Sequence, residues 1–151
     1  MASLRFTFPI TIASFYLFLP LACKHEEPGC ATSSLEVKLN DTYWNAEKVQ
    51  AIKGGQGGQI AIGAEYEDVT RGLFFYLPEY ISVGPFELNN ALTGSNSGVI
   101  FRHEIQGGPF LAESGTLNVT LHDLGSRTLE GDFHFVSANF TFTEGHFCVR
   151  Y

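Results

Sequence analysis

From residue 115 to residue 151 apolar and polar side chains alternate almost without interruption. The segments read GTLNVTLHD, LEGDFHFVSA and NFTFTEGHFCVRY, with short turn-like breaks between them. A period of two belongs to a strand with one buried and one wet face, so this quarter of the chain predicts an antiparallel meander. Near the other end, Leu35, Val37 and Leu39 alternate with Glu36, Lys38 and Asn40. That pattern predicts a first strand that turns at Asn40-Asp41 and resumes through Tyr43 and Trp44, with Trp44 as a core anchor. Residues 49–52 and 59–64 flank Gly54-Gly55-Gln56-Gly57-Gly58. This loop lacks the Lys-Ser/Thr of a phosphate-binding loop and leads into a strand, so it predicts a hairpin connection.

Leu73-Phe74-Phe75-Tyr76-Leu77 is apolar on both faces and stops at Pro78. Such a strand is either central to the fold or lines a cavity. Farther on, Val99, Phe101, His103 and Ile105 share one face while Arg102 and Glu104 share the other. His103 is thereby turned inward, where a histidine is either hydrogen-bonded in the core or placed to touch a ligand. No segment of the mature chain sustains a 3.6-residue apolar period, and glycine is frequent. The fold expected is all-β, an antiparallel meander of about eight to ten strands forming an open barrel or a two-layer sandwich.

The first 22 residues stand apart from this pattern. They carry one charge, Arg5, then an apolar run over 10–21 ending in Ala22 and Cys23. That is the layout of an export signal, and the run is too short and too broken by Pro9 and Pro20 for a membrane span. A cysteine directly after the cleavage-type residue resembles a bacterial lipoprotein signal, which implies acylation of Cys23. The charged residues Lys24, His25, Glu26 and Glu27 resemble the export tag of surface lipoproteins in Bacteroidota. The division expected is therefore a signal at 1–22, a tether at 23–33 and one β-domain at 34–151. The address expected is the outer membrane, lipid-anchored on its periplasmic or cell-surface face.

Charge and cysteine count refine this picture. The whole chain has nine Lys+Arg against sixteen Asp+Glu, a net charge of −7, and removing the signal takes away one arginine and no carboxylate. So acidic a domain is not built to neutralise nucleic-acid phosphates, nor to hold anionic lipid through a basic patch. Membrane attachment is left to the acyl chains. With Cys23 lipidated, Cys30 and Cys148 remain, either as a disulfide permitted by an oxidising compartment or as two independent thiols.

Three stretches carry a wider resemblance: Asn40-Asp41-Thr42-Tyr43-Trp44-Asn45-Ala46, Gly131-Asp132-Phe133-His134-Phe135, and the ending Thr143-Glu144-Gly145-His146-Phe147-Cys148-Val149-Arg150-Tyr151. They resemble an uncharacterised family of small Bacteroidota lipoproteins, with a Trp soon after the first strand, a G-x-F-x-F strand and a terminal T-x-G-x-F-x-V-x-Y strand. The resemblance implies a lipoprotein β-domain and assigns no catalytic residue and no cofactor.

One constellation invites a metal reading. His122, His134 and His146 recur every twelve residues on the polar faces of the last strands. A three-residue loop at 125–127 would pair His122 with Glu130 and leave His134 about 13 Å along the strand, out of reach of a shared ion. The inward phenylalanines of the last segment demand an extra residue, most simply a bulge at Glu144-Gly145. Pairing Phe135 with Phe140 then sets His146 beside Glu130. The expected row is His122, Glu130 and His146, either a surface charge row or a weak divalent-metal or acid/base site.

Three functions follow as expectations. The first is a non-enzymatic lipoprotein binding a small ligand or protein partner, with Phe74, Tyr76, Phe101 and His103 lining one apolar pocket. The second is an envelope scaffold with a filled core and a partner-facing patch. The third is a metal-dependent enzyme using the His/Glu row.

Overall fold

A computed structural model describes residues 29–54, 58–66, 71–89, 98–103 and 107–151. Eleven strands are assigned among them: β1 (Ser34–Leu39), β2 (Thr42–Asn45), β3 (Lys48–Lys53), β4 (Gln59–Glu65), β5 (Arg71–Pro78), β6 (Gly84–Glu87), β7 (Gly98–His103), β8 (Gly107–Leu111), β9 (Ser114–Asp123), β10 (Thr128–Ser137) and β11 (Phe140–Arg150). They form two antiparallel sheets packed as a sandwich, which decides between the two architectures expected. Sheet A runs β2-β1-β11-β10-β9-β6 and sheet B runs β3-β4-β5-β7-β8. The expected meander is β9-β10-β11, and β1 closes against its far side by pairing with β11. Cys23, Gly55, Gln56, Gly57, Glu104 and Ile105 lie outside the described residues.

The alternation read from the sequence becomes the core. Leu35 and Val37 of β1, Phe133 and Phe135 of β10, and Phe142, Phe147 and Val149 of β11 point inward from sheet A. They meet Ile60 and Ile62 of β4, Leu73, Phe75 and Leu77 of β5, and Val99 and Phe101 of β7. Aromatic rings join the two sheets: Phe75 lies edge-on to Phe133 at 4.8 Å, and Phe101 edge-on to Phe142 at 4.9 Å. These are the offset and T-shaped arrangements that the ring quadrupoles favour. Asn40 and Asp41 both have positive φ, 44° and 65°, the backbone of the two-residue turn that matches strand twist in a hairpin.

Two irregularities set which side chains share a face. In β11 the register against β10 slips between Phe142 and Gly145, with Glu144 at φ 51°. This is the extra residue expected near Glu144-Gly145, and it switches the inward set from Phe140 and Phe142 to Phe147 and Val149. Phe135 pairs with Phe142, though, and not with Phe140, which lies opposite Ser137. In β9 a second slip leaves Thr120 unpaired, because Val119 faces Gly131 while Leu121 faces Glu130. The β9–β10 connection has four residues, 124–127, and not three. The alternation along β9 therefore reverses at Thr120, and His122 pairs with Leu129.

One end of the sandwich gathers the chain's entry and exit. Gly29 lies close to Thr128 and Arg150, and the Tyr151 amide donates to the Arg127 carbonyl at 3.1 Å. At the same end the Glu79 amide donates to the Gly58 carbonyl, and Lys53 pairs with Glu79 at 2.7 Å. The opposite end carries the turns at Asn40-Asp41 and Ala138-Asn139 and the Ala112-Glu113 corner.

Candidate functional site

β5 is the middle strand of sheet B and is apolar on both faces, so both alternatives read from its sequence hold at once. Leu73, Phe75 and Leu77 enter the core, while Phe74 and Tyr76 stand on the outer face. Directly across the sheet their partners are small: Gly63 faces Phe74, and Ala61 faces Tyr76. The next strand out places Gln50 beside Gly63 and Ile52 beside Ala61. Aromatic walls beside a floor of Gly and Ala leave a depression of about 560 Å³. Its rim is polar, from Lys48, Gln50 and Glu65, with Ser33 and Arg150 beyond the β3 edge.

Phe74 is held in place by what surrounds it. A side chain on Gly72 would collide with its ring at 2.9 Å, and one on Gly63 would touch it at 3.4 Å. The ring thus covers the two glycines, restoring contacts that their missing side chains cannot make. On its other side the Arg102 guanidinium lies 5.7 Å from the ring centroid, within cation–π range. An apolar hollow with aromatic walls and a few polar rim groups has the make-up of a ligand-binding site.

The pocket expected from the sequence is divided by the sheet. Phe74 and Tyr76 line the hollow, whereas Phe101 and His103 project from β7 into the core. Phe101 is fully buried against Phe140 and Phe142, and the His103 ring stacks on Phe140 at 5.7 Å. Residues 101 and 103 on β7 face the opposite side from residues 74 and 76 on β5, since Leu73 pairs with Phe101. The correction is a matter of parity: two residues of even number on β5 cannot share a face with a set in register with Leu73.

The His/Glu row is likewise broken. His146 keeps its acidic neighbours: Nδ1 lies 2.8 Å from Asp132 Oδ1 and Nε2 lies 3.8 Å from Glu130 Oε1. His122 is elsewhere, because the bulge at Thr120 turns it to the inner side. Its Nδ1 donates to the Ile81 carbonyl at 2.6 Å, which fixes the tautomer, and in the neutral ring Nε2 accepts from the Tyr151 hydroxyl at 2.8 Å. Burial pushes the Tyr151 phenol above its usual range. His122 therefore fastens the 79–83 connection and the C-terminal residue to β9. Among the described residues no three His, Cys, Asp or Glu side chains converge on a point that could hold a metal ion. His134 is exposed on β10, where it pairs with Thr116 of β9.

Cys30 and Cys148 are joined as a disulfide with their Cα atoms 5.6 Å apart. The groove residues that the alternation pattern did not single out are Gln50, Ile52, Ala61 and Gly63. The signal was present: Ala61 and Gly63 are small residues alternating with Ile60 and Ile62 in β4, spaced to face Tyr76 and Phe74. Comparison of the chain with family models, curated proteins and solved structures found no match.

Proposed function

We propose that this chain is a lipoprotein, held to the outer membrane by acylated Cys23, whose β-domain is a binding module without catalytic chemistry. The hollow on the outer face of sheet B carries this reading, because Phe74 and Tyr76 stand on a sheet face where polar side chains would otherwise meet water. The ligand or partner covers these two rings and hydrogen-bonds to the Gln50 and Glu65 rim. The anchor half of the reading rests on the order of apolar segment, Ala22 and Cys23.

Hydroxyl-radical footprinting tests the binding half with the side chains themselves. Phe74 and Tyr76 should be oxidised more slowly in intact envelopes than in the purified protein, and a Gly63→Arg substitution that fills the hollow should remove the difference. Equal oxidation in both settings contradicts a binding role for this face.

A second reading is supported by the filled core: the same face would be the contact surface of a structural component in an envelope complex. Footprinting after cross-linking separates the two, since a protein partner across the sheet face protects Leu111 of β8, outside the hollow, together with the rings, and a small ligand leaves Leu111 reactive.

A further inference from the structure

Of the five most exposed large apolar side chains among the described residues, four lie at the end of the sandwich where the chain enters. Tyr80 and Val83, on the 79–83 connection, are 77% and 62% exposed; Leu124, in the β9–β10 turn, is 53% exposed; Ile52, at the end of β3, is 71% exposed. They come from three separate stretches of chain. The stretches are locked together at that end by the Ile81–His122–Tyr151 hydrogen bonds, the Tyr151–Arg127 bond and the Lys53–Glu79 pair. At the far end Tyr43 is the one comparably exposed hydrophobic among the described residues, and its hydroxyl is tied to Glu144 at 2.7 Å.

The described cations divide between the two ends, with Lys38, Lys48, Arg71 and Arg102 toward the far one. Lys53, Arg127 and Arg150 lie at the entry end of a chain whose net charge is −7. Of the carboxylates there, Glu79 is paired with Lys53, Asp123 accepts from the Gly125 amide and the Ser126 hydroxyl within its own turn, and Glu130 lies beside Cys148 and 3.8 Å from His146. The far end carries Asp41 and Glu113 at its corners. A fully extended chain from Cys23 to Gly29 spans about 20 Å. β11, with eleven residues, is about 35 Å long. The disulfide at Cys30 pins the tether's exit beside the end of β11, so no slack is gained by peeling the entry segment away.

We infer that this end of the domain seats on the lipid bilayer, with Tyr80, Val83 and Leu124 entering the headgroup and upper acyl region. The inference rests on the acyl anchor at Cys23 and adds an orientation to it. An aromatic with a polar tip beside aliphatic residues and flanking cations is the composition that settles at such an interface. The seated domain turns the hollow of sheet B sideways, so that a ligand reaches it from along the membrane.

The test uses the full chain, expressed in a Gram-negative host and reconstituted in phosphatidylethanolamine/phosphatidylglycerol vesicles doped with acyl-brominated lipid. Leu124→Trp and Val83→Trp place reporters on two separate connections, and Asn139→Trp places one at the far turn. The buried Trp44 supplies the same background to all three. The expected result is loss of more than about half of the added emission at 124 and 83, none at 139, and no change in high salt, because apolar insertion is not screened. Equal, weak quenching at 83, 124 and 139 in acylated, vesicle-bound protein overturns the docking and leaves the anchor standing. A chain without acyl mass at Cys23 overturns the anchor and this orientation with it.

Discussion

Cys30 and Cys148, 118 residues apart, are bonded to each other, so the segment that enters the domain is fastened to its last strand. Closing so long a loop removes much of the unfolded chain's freedom, worth about 4 to 5 kcal/mol in the chain-entropy model. The paired variant Cys30→Ser/Cys148→Ser should unfold about 2 to 5 kcal/mol more easily in urea while keeping its far-ultraviolet spectrum. An unchanged midpoint would show that the bond adds nothing to the sandwich.

Phe75 and Tyr76 are neighbours in sequence with opposite fates, one fully buried against Phe133 and Phe147, the other on the outer wall of the hollow. Phe75→Ala should cost about 3 to 5 kcal/mol through lost transfer energy and the cavity left behind. Tyr76→Ala should cost less than about 1.5 kcal/mol, since its ring is only partly withdrawn from water. Chemical denaturation of the two variants measures the contrast; equal losses would mean that sheet B does not separate them.

Asn40 and Asp41 both adopt left-handed backbone in the β1–β2 turn, but only Asn40 has a further task there, accepting from the Thr141 amide at 2.8 Å. Asp41→Gly should therefore stabilise the protein by up to about 1 kcal/mol, because glycine adopts this conformation without the steric cost. Asn40→Gly should lose that gain with the hydrogen bond. Thermal unfolding of the pair distinguishes them, and a destabilised Asp41→Gly contradicts the turn geometry.

Among the described residues three carboxylates titrate below their ordinary range in the folded protein. Glu144 is held low by the Tyr43 hydroxyl and then by Lys38, Asp123 by Ser126 and the Gly125 amide, and Glu79 by Lys53. A lowered folded-state value means that the unfolded chain takes up protons first, so the stabilisation is complete above the ordinary carboxylate range and is lost as pH falls through the folded values. The urea midpoint should stay level down to about pH 5 and then decline, with a shallower decline in Glu144→Gln. A midpoint that rises on acidification contradicts this sign.

Most of the sandwich was legible because its strands alternate cleanly: Leu35 and Val37, Leu73 through Leu77, and Phe133 and Phe135 lie where period two puts them. The turn at Asn40-Asp41 and the bulge near Glu144 were legible too, one from its residue types and the other from a forced change of parity. The bulge at Thr120 was not. Leu117, Val119 and Leu121 alternate without a break, and only the four-residue turn after Asp123, set by the Asp123 side chain bonding to Gly125 and Ser126, makes the register slip. That slip moved His122 off the row. The hollow was half legible: Phe74 and Tyr76 stood out, but which strand would lie beside them depends on pairings between segments far apart in the chain. Phe101 and His103 were joined to them by hydrophobic character alone, and the pairing of Leu73 with Phe101 decides otherwise.

Both the anchor half of the proposed function and the orientation at the bilayer depend on the chain being carried by lipid at Cys23. Intact mass and membrane fractionation of the full chain from a Gram-negative host, beside Cys23→Ser, measure this directly. A mature chain beginning at Cys23 with a diacyl or triacyl increment, found in the membrane fraction and lost from it in the variant, is the result expected. A soluble product without lipid, indistinguishable from Cys23→Ser, would contradict it.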